Sequence, residues 1–353
     1  MRPLLIGLVY ETLKSYPRVP LEPVDAHVEF EPEVTIEALE AAISLLGHRP
    51  VRLGAPRDLM TRIAVDVSLG VDVVFNLAEG FGGRNREAWA PVLLEMAGVA
   101  CIGSDALSLS LSLDKAWANR WMAQAGVPVA DQLAIASPLE ATDVQLPAPF
   151  PLFVKPRWEG TSKGIRASSR VDSREALVRE VERIVSDYHQ PALVEAFLPG
   201  AEFTVTLIGN HPPRVFPALQ RALEDQTRIG LHALEGPEAM APEGGFRHVT
   251  EGILTPLLEE RLGSLSLRAF EALACHDFAR VDFRLDAEGA PIFLEINPLP
   301  TFAPEGSFGI LAELEGCSLS EMLGRCVKAG LDRLGFEERL DGDDRTGGEF
   351  NGR

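Results

Sequence analysis

Positive charge is short in this sequence: 33 Lys and Arg stand against 52 Asp and Glu, a formal net charge of -19. A nucleic-acid surface works through a basic face that displaces counterions, so nucleic acid is excluded as a partner. An anionic membrane surface is disfavoured on the same ground. An anionic ligand would need a local cluster of Lys, Arg and metal inside a protein whose overall charge serves solubility. Long apolar runs are missing too, since no stretch approaches the roughly twenty residues of a membrane helix. The amino-terminal Met-Arg-Pro-Leu-Leu-Ile-Gly-Leu-Val reaches Glu11 without a small-residue cleavage site, which reads as a first strand and not a signal peptide. Cys101, Cys275, Cys317 and Cys326 are scattered, with no C-x-x-C pair, so the expectation is reduced thiols in a cytoplasm.

Several catalytic signatures are also absent. There is no G-x-S-x-G elbow, no H-E-x-x-H among the seven histidines and no Walker A loop. Gly80-Phe-Gly-Gly lacks the rest of a dinucleotide fingerprint and reads as a glycine turn.

What is present is enough chain for two or three subdomains: 353 residues, 46% hydrophobic. The first hundred residues alternate strand and helix: strands at Leu4–Tyr10, Val71–Leu77 and Val99–Ile102, and helices at Val34–Leu46 and Arg86–Met96, the latter stopped by Gly98. That alternation predicts a parallel α/β domain. Helices follow at Asp105–Leu113 and Asp114–Gln124, a surface connection at Ala136–Pro149, then mostly antiparallel strands. Arg221–Thr250, weakly periodic and rich in Gly and Pro, predicts a long loop or lid. Helices return at Pro256–Ala274 and Ser318–Leu334, and the polar tail from Glu337 reads as disordered.

Three segments carry chemistry. Ala279-Arg-Val-Asp-Phe-Arg-Leu, the turn Asp286-Ala-Glu-Gly and Pro291-Ile-Phe-Leu-Glu-Ile-Asn read as a β-hairpin. Alternation puts Val281, Phe283, Leu285, Ile292, Leu294 and Ile296 on the core face, and Arg280, Asp282, Glu295 and Asn297 on the other. Two carboxylates and an amide oxygen on one face suit magnesium sharing ligands with phosphate; a merely solvated face is the alternative. Next, Lys155 closes the apolar strand Leu152-Phe-Val-Lys, and Glu159-Gly-Thr-Ser-Lys-Gly follows as a small-residue loop whose amides could approach phosphate oxygens. Third, Val194-Glu, Pro199-Gly and Ala201-Glu-Phe-Thr-Val place Glu195 and Glu202 beside exposed backbone, in a manner suited to a nucleoside.

Taken in order from Val71 to Phe308, these segments resemble the ATP-grasp ligases, and within them the D-alanine–D-alanine ligase group. The resemblance is carried by Val74-Phe-Asn-Leu-Ala-Glu-Gly, Gly103-Ser, Asp114-Lys, Val154-Lys-Pro, Glu159-Gly-Thr-Ser, Val194-Glu, Pro199-Gly-Ala-Glu-Phe-Thr-Val, Ala279-Arg-Val-Asp-Phe and Glu295-Ile-Asn-Pro-Leu-Pro. It implies an ATP-grasp fold, α/β at the start and α+β in the carboxy-terminal half. The implied parts are an amino-terminal domain over 1–108, a central subdomain over 109–203, a carboxy-terminal subdomain over 204–336 and a tail over 337–353.

The resemblance also implies roles. Lys115 and Lys155 would contact ATP phosphates, with Glu159, Gly160, Thr161 and Ser162 as the phosphate loop. Glu195, Ala196 to Leu198 and Glu202 would hold adenine and ribose, and Asp282, Glu295 and Asn297 would ligate two magnesium ions, with manganese as the substitute. Arg280 would stabilise an oxyanion, Glu11 would bind an amine, and Thr301 occupies a position the family gives to Gly. The implied reaction is ATP-dependent amide formation between small amino-acid or peptide substrates through an acyl phosphate, by a cytoplasmic enzyme and a homodimer.

Departures lie at the acceptor end. The lid segment Arg221–Glu235 has neither the Tyr nor the Lys of typical members, leaving His232 or Arg228 as substitutes, and the family's second-substrate Ser aligns with Gly306 or Ser307. The alternatives are therefore a tailoring ligase with another acceptor, or an ATP-binding protein without catalysis.

Overall fold

The computed structural model describes residues 2–16, 22–234, 248–249 and 252–336. The first sheet is parallel, in the order β2-β1-β3-β4, from β1 (Leu5–Tyr10), β2 (Arg49–Gly54), β3 (Val73–Leu77) and β4 (Cys101–Ile102). Its helices are α1 (Glu33–Leu45), α2 (Pro56–Val65) and α3 (Trp89–Ala97). β2 escapes a sequence reading because Arg49, Pro50 and Arg52 interrupt its apolar run; as an edge strand it tolerates them. The expected helix from Arg86 opens instead as a 3-10 turn, Arg86–Ala88, and Gly98 closes α3 in the left-handed region at φ 68°.

Two helices, α4 (Ala106–Leu113) and α5 (Lys115–Gln124), lead into a second sheet, which is antiparallel in the order β5-β8-β6-β7. Its strands are β5 (Gln132–Ile135), β6 (Leu152–Pro156), β7 (Arg170–Val171) and β8 (Ala192–Ala196). Between them lie the short α6 (Pro138–Ala141), capped by Ser137 inside the expected surface connection, and α7 (Arg174–Tyr188).

The third sheet is also antiparallel, with β9 (Glu202–Ile208) and β14 (Phe278–Leu285) at its centre. β10 (Arg214–Val215) and β11 (Leu219–Arg221) pair with β9, and β15 (Pro291–Asn297) pairs with β14. The expected long loop after Arg221 is a correction in part. Leu223–Glu224 (β12) pairs with His248–Val249 (β13), and Leu231–Leu234 (α8) forms a helical turn. The Glu224 carboxylate accepts from the Gln226 and Thr227 amides and folds the chain back, a role no apolar pattern announces. The rest of that segment, 235–247 and 250–251, and the tail from Glu337 lie outside the described residues.

Helix α9 (Pro256–Ala272) covers the third sheet, while α10 (Ser307–Leu314) and α11 (Leu319–Arg333) return to the first. Ile36, Leu39 and Ile43 of α1 share one core with Leu323 and Val327 of α11. A Cβ on Gly330 would stand 2.5 Å from Ile102, so α11 approaches β4 only because that residue is Gly. Phe75 stacks on Phe278, which meets Phe302 edge to face, and Phe302 packs against Phe308, a chain of rings that ties the first sheet to the third. No helix among the described residues is long and apolar enough to cross a membrane.

Candidate active site

A cavity of about 380 Å³ opens between the second and third sheets. Its floor is built by strand pairing. Asp282 on β14 lies opposite Glu295 on β15 and Thr204 on β9, and Arg284 lies opposite Glu202. Period-2 alternation puts Arg280, Asp282 and Arg284 on one face, and Thr204 Oγ1 donates to Asp282.

The second strand of the hairpin corrects the expected alternation. A register shift follows Asp282, so Phe293 and Ile296 enter the core while Leu294 and Glu295 both line the cavity. Leu294 and Ile292 are therefore not core residues. One extra residue in a strand turns every following side chain over, which places Glu295 on the Asp282 face by a bulge instead of by plain alternation.

Cations clamp this floor. Lys115, from the first turn of α5, reaches Glu295 at 2.9 Å; Arg280 pairs with Asp282 at 2.8 Å and stands 3.8 Å from Glu295. Burial pushes the Glu295 carboxyl up, but Lys115, Arg280 and Lys155 together outweigh it and hold it at about 2. On the opposite wall Lys155 of β6 pairs with Glu195 of β8 at 2.6 Å, and Ala196 and Leu198 continue that wall. Arg284 stands 3.6 Å from Glu202, and so does His232. Glu159, Thr161 and Ser162 line the cavity, with Thr301 and Gly306 closing its far end.

Three expected site residues stand back from the lining. The Gly160 amide donates to Glu29 at 2.8 Å, and Asn297 lies behind Glu295, its Nδ2 3.4 Å from Oε1. Glu11, at the end of β1, accepts from the Gly80 amide at 2.8 Å, and burial raises its pKa.

Other lining residues were missed. Thr204 and Arg284 were legible from register and alternation, because they face Asp282 and Glu202. Lys163 stands inside the small-residue loop, 2.5 Å from Glu159. Arg221 carries no local signal: it ends β11, lines the cavity and donates to Ser307 Oγ at 3.2 Å. Six cations line the cavity: Lys115, Lys155, Lys163, Arg221, Arg280 and Arg284. Arg221 alone among them has no carboxylate partner among the described residues.

The donor set permits a test of metal binding. Among the described residues no three His, Cys, Asp or Glu side chains converge as a metal cage. Two facing carboxylates with an amide behind them suit instead a hard cation that keeps waters and phosphate oxygens in its shell, as magnesium does. The residues fit that group.

Comparison with known proteins shows the family and the fold. Residues 122–328 match the family described as D-ala D-ala ligase C-terminus. An uncharacterized protein, y4sG of Sinorhizobium fredii, is 32% identical, over 81% of this chain and 84% of its own length. The D-alanine--D-alanine ligase of Gluconobacter oxydans is 31% identical, over 86% of this chain and 96% of that protein. In fold, the chain resembles the D-alanine--D-alanine ligase of Bacillus anthracis complexed with ATP, with a TM-score of 0.66 at 20% identity over 95% and 99% of the two chains. The VanG D-Ala:D-Ser ligase of Enterococcus faecalis shares the fold with the same TM-score at 17% identity, over 93% of this chain and 100% of that one.

Proposed function

This chain belongs to the D-alanine–D-alanine ligase family, and on that premise we propose that it joins two small amino acids by way of an acyl phosphate. It is an ATP-dependent, ADP-forming carbon–nitrogen ligase. The observation that carries the proposed chemistry is the convergence of Lys115 and Arg280 on the facing pair Asp282 and Glu295 in one cavity.

In this reading Glu195, the backbone from Ala196 to Leu198 and Glu202 hold the nucleoside, and Lys115, Lys155 and the loop from Glu159 to Ser162 hold the phosphates. Asp282, Glu295 and Asn297 would hold magnesium, which supplies charge neutralisation on the phosphates. A donor carboxylate oxygen attacks the γ-phosphorus, the bond to the β-phosphate oxygen breaks, and ADP leaves. The neutral amine of the acceptor then attacks the acyl carbon, phosphate departs, and the amine proton passes to solvent. Arg280 donates to the oxygen on which negative charge develops in that second step. Arg221, the cavity cation without a carboxylate partner among the described residues, takes the carboxylate of the acceptor. Glu11 receives the amine of the donor, and the reaction runs in the cytoplasm, where ATP is supplied.

A specific observation supports an acceptor other than D-alanine. The described lining carries Ile229 and His232 where the family resemblance implies a lid Tyr and Lys, and Arg221 donates to Ser307, one of the two positions that align with the family's second-substrate Ser. The test is isotopic. With 18O in the donor carboxylate, one label per turnover must arrive in inorganic phosphate. Product formed without label transfer sinks the acyl-phosphate route.

A further inference from the structure

The loop over residues 159–164 does not hold itself. Thr161 and Ser162 stand at φ 47° and 59°, a region L residues rarely adopt, and Thr161 is β-branched. Its internal backbone bond runs from the Lys163 amide to the Gly160 carbonyl, at 2.9 Å, with the Ser162 carbonyl accepting from Ile165 at 3.1 Å, and Lys163 pairs with Glu159 at 2.5 Å. The contacts that fix it come from elsewhere: Lys115 donates to the Glu159 carbonyl, Gln190 Nε2 to Glu159 Oε1 at 2.7 Å and Arg183 Nη2 to the Gly164 carbonyl at 2.6 Å, while the chain before α1 supplies Glu29 and Asp25. One oxygen of Glu29 accepts from the Gly160 amide at 2.8 Å, and the other stands 2.8 Å from Lys163 Nζ. Arg86 Nη2 donates to both oxygens, at 2.8 and 3.0 Å, and Arg86 Nη1 donates to the Trp158 carbonyl at 2.8 Å. Four residues further back, Asp25 accepts from the Gly164 amide at 2.7 Å and from Tyr188.

We propose that Glu29 is a positioning residue, which presets the phosphate loop by holding the Gly160 amide and the Lys163 ammonium against Arg86. This rests on the reading of 159–164 as the loop that contacts ATP. Glu29, Arg86 and Lys163 are 6%, 3% and 8% exposed, so their charges are settled by one another and not by water. With Glu159 the group is two acids and two bases, neutral as a set. A Cβ on residue 160 would stand 2.8 Å from the Glu29 carboxylate, so the contact itself requires glycine there. Burial works against the Glu29 charge, and Arg86 and Lys163 nonetheless hold its pKa at about 2. Thr161 and Ser162 line the cavity, and their amides donate to no described group. Arg86 Nη1 also reaches the Gly83 carbonyl at 3.4 Å, in the glycine turn where the Gly80 amide donates to Glu11.

The test is Glu29→Gln, which keeps the shape and an acceptor for Gly160 but removes the charge. ATP affinity is read from the emission of Trp158, which leads into the loop, and the KM for ATP and kcat are read from phosphate release. Loop order is read from tryptic cleavage after Lys163, which its ion pairs protect in the wild type. The proposal predicts a KM for ATP raised about tenfold or more, a proportionate loss of ATP affinity, and tryptic cleavage at Lys163 that ATP suppresses. Unchanged ATP affinity together with an intact loop, whatever the change in melting temperature, would overturn it and leave Glu29 a purely structural residue. Should Glu29→Gln fail to fold, Gly160→Ala opens the same contact from the loop side and must give the same two readouts. Binding and cleavage need no amino-acid substrate. A wild type that turns over no ATP would therefore count against the ligase chemistry, and the loop result would stand separately.

Discussion

At the scale of single residues, the site is a set of mutually neutralised charges, and each predicted effect follows from which partner is removed. Replacing Asp282 or Glu295 by its amide leaves Arg280 or Lys115 in place but takes away a hard oxygen charge. Either change is expected to lower phosphate release by on the order of a hundredfold or more, with ATP binding retained in part. A colorimetric phosphate assay with a separate nucleotide-binding measurement reads both. Arg221 makes a different prediction. If it anchors the acceptor carboxylate, Arg221→Ala removes a charge-assisted hydrogen bond worth roughly 1.5–3 kcal/mol, which is about tenfold to a hundredfold in acceptor KM. The KM for ATP should stay within about twofold; a selective rise in the KM for ATP instead would assign Arg221 to the nucleotide. The two arginines differed in legibility for a plain reason. Arg280 sits on a strand whose alternation displays it beside Asp282, whereas Arg221 reaches the cavity only because β11 pairs with β9, a long-range event with no local signature.

At the scale of elements, short-range signals were readable and long-range ones were not. Capping residues, glycine stops and the Asp286 turn place α3, α9, α11 and the β14–β15 hairpin within a few residues of where they lie. The register shift after Asp282 was not readable, since it depends on Phe293 winning the core site over Leu294. That claim predicts a contrast. Phe293→Ala should destabilise the protein by about 3–5 kcal/mol, the cost of emptying a core site, whereas Leu294→Ala should cost much less and act on substrate KM. A larger loss from Leu294→Ala than from Phe293→Ala in chemical denaturation would show that the strand keeps plain alternation. The loop before α10 depends on a second close approach: a Cβ on Gly309 would fall 1.8 Å from the Pro304 carbonyl oxygen. Gly309→Ala must therefore push the segment from Thr301 to Gly306 off the helix. The expectation is a loss of about 1–3 kcal/mol in stability with a raised acceptor KM, measured together on one preparation.

At the scale of the whole molecule, the excess of acid shapes stability against pH. Glu29 and Glu295 titrate near 2 when folded, below their ordinary range, so the stability they contribute is present above about pH 4.5 and is lost as pH falls towards 2. Glu87 goes the other way. Burial, which Arg86 only partly offsets, raises it to about 7, so the folded protein keeps a proton that the unfolded chain releases above about 4.5. Stability from that group is therefore lost as pH rises from about 4.5 to 7, and burial also raises Glu79, Glu11 and Glu31. Self-repulsion in a chain of charge -19 adds in the same direction. Thermal unfolding should show its maximum on the acid side of neutrality, and Glu87→Gln should flatten the decline between pH 5 and 7. A Glu87→Gln profile parallel to the wild type would remove Glu87 from that account.

The central claim concerns what the cavity does with ATP, and the products decide it. We would incubate the protein with ATP, magnesium and pairs of D- and L-amino acids, and resolve nucleotides, phosphate and amide by mass spectrometry. The expected products are ADP, phosphate and an amide-linked compound in equal amounts, all dependent on the metal and on a particular pair. Formation of AMP and pyrophosphate with the amide, or ATP hydrolysis that no amino acid stimulates, would contradict that claim.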